Sequence, residues 1–126
     1  MRRKIITLAA AALVVVGMTA PAHADATVGD GRVHLVVEGD GMSVTRVSGW
    51  MDGHGTRVQA RLYKVYNHQA SDVVGWRNAT WRSYGGREFF GVSWNWEQRP
   101  HHYANGTWLC IQFNRADGAP CAKIKR

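Results

Sequence analysis

Residues 89–96 read FFGVSWNW, and their alternation decides how the chain is built. Successive side chains of a β-strand point to opposite faces. Phe90, Val92, Trp94 and Trp96 therefore share one face, while Phe89, Gly91, Ser93 and Asn95 share the other. The first set is wholly apolar, which predicts a strand with one buried face and places Trp94 in the core. Trp96 ends the run, just before Glu97 and the Arg99-Pro100 turn, where it either packs at the rim or is exposed.

Outward from this strand, no segment of 25–126 holds a 3.6-residue period. Short runs rich in Val, Thr, Tyr, Phe and Trp recur instead between Gly, Asp and Asn. Strands are expected near 32–38, 42–51, 56–67, 76–84, 89–96, 107–114 and 121–125. The fold class is all-β, a small antiparallel β-sandwich or barrel of about seven short strands. The Asp-Gly steps in EGDGM (38–42) and MDGHGT (51–56), and Gly85-Gly86 in YGGRE, predict hairpins. These make the first three expected strands antiparallel neighbours, and likewise the fourth and fifth. The turn RADGAP (115–120) folds the last strand back and brings Cys110 toward Cys121.

The first 24 residues form a different unit. Arg2, Arg3 and Lys4 precede an apolar run from Ile5 to about Met18, followed by Pro21 and Ala22-His23-Ala24. That order is expected of a secretory signal peptide cleaved after Ala24. Its apolar run falls short of the roughly 20 residues needed to cross a bilayer, and no later segment reaches that length. The working protein is then a single domain of residues 25–126, with no transmembrane segment after cleavage and a secreted, extracellular location. The chain's only two cysteines, Cys110 and Cys121, are expected to form one disulfide in that oxidising setting.

Without Arg2, Arg3 and Lys4 the 16 basic residues fall to 13 against 9 acidic ones, a net charge of +4. The arginines are dispersed among acids rather than gathered into a run, which argues against a nucleic-acid partner. Catalytic signatures are equally sparse. Serines occur without a nucleophile elbow, and the carboxylates Glu38, Asp40, Asp52, Asp72, Glu88 and Glu97 sit mainly at turns. No enzyme activity and no cofactor are expected. His101 and His102 are adjacent, so on an extended chain they point to opposite sides and do not chelate one metal ion.

Binding is the better-supported expectation. Six tryptophans and four tyrosines, all beyond residue 24, are many for so small a core to hide. Read as one strand, 76–84 sets Trp76, Asn78, Thr80, Arg82 and Tyr84 on a single face, polar in the middle with an aromatic at either end. Indole and phenol rings offer broad apolar area with a polar handle. Trp76, Arg82 and Tyr84, with Trp96, His101, His102 and Tyr103, are accordingly the candidate binding residues. The expected function is a secreted, non-catalytic binding module for a polysaccharide or cell-envelope polymer. The alternative is a proteinaceous inhibitor or interaction protein acting on a secreted enzyme through a loop at 98–105 or 67–75.

The C-terminal stretch ANGTWLCIQFNRADGAPCAKIKR (104–126) has a Gly-Thr pair before one cysteine and Gly-x-Pro-Cys near its end. With the Ala-rich leader, it resembles uncharacterised small secreted proteins of actinobacteria. The resemblance implies a bacterial, exported β domain with a single disulfide and assigns no functional residue.

Overall fold

The computed structural model describes residues 25–126, so the expected signal peptide at 1–24 lies outside the described residues. Ten strands and no helix are found there. They are β1 (Ala26–Asp30), β2 (Val33–Asp40), β3 (Ser43–Asp52), β4 (Gln59–Tyr66), β5 (Gln69–Asn78), β6 (Thr80–Tyr84), β7 (Arg87–Asn95), β8 (His101–His102), β9 (Thr107–Phe113) and β10 (Cys121–Ile124). One sheet, here sheet A, runs β1-β2-β3-β7-β6 with β8 attached to β3; sheet B runs β10-β9-β4-β5. Every pairing is antiparallel.

The two sheets pack face to face because each strand places its apolar residues at alternate positions. Val33, Leu35 and Val37 of β2, Val47 and Met51 of β3, and Val92 and Trp94 of β7 turn inward from sheet A. They meet Ala60 and Leu62 of β4, Leu109, Ile111 and Phe113 of β9, and Ala122 and Ile124 of β10 in one core. Trp94 is 6% exposed, as the alternation in 89–96 requires.

Tight turns set the registers. Tyr66 pairs with Gln69 across Asn67-His68, whose φ values are 52° and 63°. Tyr84 pairs with Arg87 across Gly85-Gly86, at 58° and 80°. Two consecutive residues with positive φ make the mirror-image turn whose twist matches the flanking strands, and glycine adopts it without steric cost.

Three parts of the topology differ from the sequence reading. The strands number ten rather than seven, since β1, β5 and the two-residue β8 carry too few large apolar residues to stand out. The expected strand 76–84 is two elements: β5 closes one edge of sheet B and β6 one edge of sheet A, with the chain crossing at Ala79, whose N–H donates to the Val58 carbonyl. The turn MDGHGT joins no hairpin either. β3 and β4 belong to different sheets, and 53–58 is the connection between them.

Cys110 and Cys121 are direct cross-strand partners in β9 and β10 and are bonded, with an S–S distance of 2.02 Å. The bond fastens the four-residue edge strand β10 to sheet B.

Candidate functional site

The crossover at Ala79 separates residues that the sequence placed side by side. Trp76 stands on the solvent face of sheet B. Arg82 and Tyr84 stand on the solvent face of sheet A, in register with Phe89 and Arg87. Both ends remain open to solvent, with Trp76 46% and Tyr84 80% exposed. Trp81 alternates with them and faces inward at the sheet edge, opposite Phe90.

What gathers around Trp76 comes from other strands. In β4, Arg61 and Tyr63 alternate with the buried Ala60 and Leu62 and so emerge on the solvent face. In β9, Trp108, Cys110 and Gln112 alternate with Leu109 and Ile111 in the same way. Arg61 organises the group. Its Nε donates to Gln112 Oε1 and its Nη1 to Asp72 Oδ1, both at 2.8 Å. Its guanidinium carbon lies 4.8 Å from the Tyr63 ring centroid and 5.5 Å from that of Trp76. A planar cation bonded to two neighbours and set against two rings fixes those rings before any ligand arrives.

Trp108 continues the face. It is 42% exposed, pairs with Val65 and Lys123, and has the Lys123 ammonium 5.5 Å from its ring. Tyr63 is its diagonal cross-strand neighbour, at a typical Cα separation of about 7–8 Å. Trp108, Tyr63 and Trp76 therefore mark an oblique line across three strands of one face, with Arg61, Lys123, Gln112 and Asp72 supplying donors and acceptors beside them. Arg61, Tyr63 and Trp108 were not among the sequence candidates. The alternation Ala60-Arg61-Leu62-Tyr63 and Trp108-Leu109 already carried that signal, since a large ring between buried neighbours must point outward.

The remaining candidates form a separate group at one end of the sandwich. A bulge between Glu38 and Gly39 of β2 leaves Thr45 of β3 unpaired within the β2–β3 ladder, and its carbonyl accepts from the Trp96 N–H at 2.7 Å. Below the bulge β3 exchanges β7 for β8, so that Ser43 meets His102 and Val44 meets His101. His101 lies flat on Trp96, with ring centroids 3.6 Å apart and planes 2° from parallel. Burial lowers the His101 pKa. Tyr103 is only 8% exposed and bonds His101 Nδ1 through its hydroxyl at 3.3 Å; burial pushes its pKa up to about 12. Tyr103 is thus a packing residue rather than a ligand contact. His102 turns the other way, to the Ser43 hydroxyl at 2.8 Å.

Four of the carboxylates are engaged by basic side chains. Asp52 accepts from Arg87 at 2.6 Å and from His34 at 2.8 Å. Burial raises its pKa, but the bonds and charges of Arg87 and His34 outweigh that and hold it below the usual aspartate value. Asp72 pairs with Arg61, Glu97 with Arg46 and Glu88 with His54. Among the described residues, no three His, Cys, Asp or Glu side chains converge as metal ligands. No family model, no curated protein and no solved structure matches the chain.

Proposed function

We propose that the protein is an exported, non-catalytic binding module that holds a polysaccharide or cell-envelope polymer against the solvent face of sheet B. The observation that carries this reading is the Arg61 guanidinium, bonded to Gln112 and Asp72 while lying over Tyr63 and Trp76, with Trp108 exposed on the same face. Rings held in fixed positions lose little freedom when a ligand stacks on them, so more of the contact energy is retained as affinity. An oblique line of three rings suits an extended chain of repeating units better than a compact ligand.

Two further features support the reading. Asp52 is held in its charged form, the reverse of what a general acid needs. The segments on which an inhibitory loop would depend are also occupied: Asn67 and His68 form a tight turn, Gln69–Asn78 is strand β5, and 98–105 contains β8 and the buried Tyr103. Export would follow from the leader at 1–24, and the disulfide is consistent with an oxidising compartment.

The test is co-sedimentation of the mature protein with insoluble cellulose, chitin and peptidoglycan, the supernatant then being assayed for inhibition of secreted hydrolases. Retention on a polymer without inhibition is expected. Inhibition without retention would replace this reading with the inhibitor one.

A further inference from the structure

Across the solvent face of sheet A one row of residues runs in register through five strands: Gly29, His34, Trp50, Gly91 and Thr80. His34 and Trp50 are stacked, with ring centroids 4.8 Å apart and planes 15° from parallel. That separation matches the spacing of neighbouring strands, about 4.7–4.9 Å, so the stack runs across the sheet with the rings standing on edge. The free face of the indole is then turned toward β7, where the next residue of the row has no side chain.

Nothing in the fold requires glycine at position 91. Its φ is not among the positive values, and the β3–β7 register is unbroken there. A Cβ placed on it would meet the Gly49 carbonyl oxygen at 3.7 Å and the Phe89 ring at 3.8 Å, both ordinary contacts. Gly49 differs, since a Cβ there would strike Ile111 Cδ1 at 2.4 Å. Glycine inside a strand weakens it, and where neither a bulge nor packing explains it, close approach of a ligand remains.

Trp50, Gly91 and Thr80 therefore frame a gap in the row one residue wide, into which the Phe89 ring leans from one end, 3.8 Å from where a Cβ on Gly91 would stand, with Ser93 at the other end. The Phe89 end is cationic. Arg82 is the register partner of Phe89 and its side chain makes no hydrogen bond or ion pair among the described residues, whereas Arg87 and His34 share Asp52. Arg32 adds a third guanidinium whose bonds go to the carbonyl oxygens of Asp52 and His54 rather than to a carboxylate.

We infer that this slot is a second binding site, independent of the sheet B face, for a carboxylated sugar unit of an acidic polysaccharide. The sugar ring stacks on the free indole face above Gly91, its hydroxyls meet Thr80 and Ser93, and its carboxylate takes Arg82. A bidentate guanidinium contact suits a carboxylate.

The test is titration calorimetry of the mature protein with polygalacturonate, and with dextran as a neutral polymer, at physiological salt. Polygalacturonate should bind and dextran should not bind at this slot. Gly91→Val fills the floor and should weaken polygalacturonate about tenfold or more, with the melting temperature held within a few degrees. Arg82→Gln, on an exposed side chain, should weaken it similarly, whereas Arg99→Gln, which removes the same charge elsewhere, should not. Trp76→Ala should leave this binding intact even if it abolishes retention on insoluble polymer, so the two sites fail separately. Absence of polygalacturonate binding, wild-type affinity in Gly91→Val, or equal losses in Arg82→Gln and Arg99→Gln would each overturn the inference.

Discussion

His101 is stacked on Trp96 at 3.6 Å between ring centroids, and its burial there predicts that this end of the sandwich is sensitive to pH. Burial lowers the His101 pKa below its ordinary 6.5, so the folded state favours the neutral ring. Between the unfolded pKa and the lower folded one, the unfolded chain binds more protons, and stability therefore falls as pH drops through that window. Thermal melts at pH 7.5 and pH 5 should show a loss on acidification that His101→Phe reduces. An unchanged loss in His101→Phe would assign the effect elsewhere. Asp52 adds its own loss only in stronger acid, as pH falls below the ordinary carboxylate pKa of 3.8 and through the lower folded value.

The Cys110–Cys121 bond closes a short loop, with a sequence separation of 11 residues. On the loop-entropy model such a closure contributes about 3 kcal/mol. Reduction should lower the melting temperature and add about 2 Da to the intact mass, while the apolar core between the two sheets keeps the chain folded at room temperature. Alkylation of either thiol in the unreduced native protein would contradict the pairing.

Replacing Arg61 by Lys keeps the charge but loses the planar fork that reaches Gln112 and Asp72 and lies against two rings. Because Asp72 is more than half exposed and the pair is open to solvent screening, stability should change by about 1 kcal/mol or less. Polymer retention should fall severalfold as Tyr63 and Trp76 gain freedom. Retention equal to the wild type would show that the rings need no such support.

Cleavage after Ala24 predicts an exported form that begins at Asp25 and carries a net charge of +4, three less than the precursor's +7. Intact mass of the exported protein checks it. Recovery of full-length chain in a membrane fraction would show that the leader is retained.

The alternation in 89–96, the Gly85-Gly86 hairpin and the return of 121–124 onto 107–110 were all legible, because each depends on neighbours in sequence. The division of the expected strand 76–84 between the two sheets was not. Its residues alternate as one strand would, and only the hydrogen bond of Ala79 to Val58, 21 residues away, marks the crossover. For that reason Trp76 was grouped with Arg82 and Tyr84, while its actual neighbours Arg61, Tyr63 and Trp108 lie on strands whose order no local pattern fixes. The burial of the Tyr103 ring is not legible in the sequence, because the bulge at Thr45, which draws 96–103 onto β3, leaves no mark in that segment.

The solvent face of sheet B is the proposed polymer-binding surface. Retention of wild type, Trp76→Ala, Trp108→Ala and Trp94→Ala on the insoluble polymer that holds the wild type, measured alongside thermal melts of all four, tests it most directly. Trp76 and Trp108 stand in solvent, so their loss should abolish retention with little change in stability, whereas removal of the buried Trp94 should cost about 3–5 kcal/mol. Full retention by both Trp76→Ala and Trp108→Ala, with wild-type melting, would contradict the claim that this face binds the polymer.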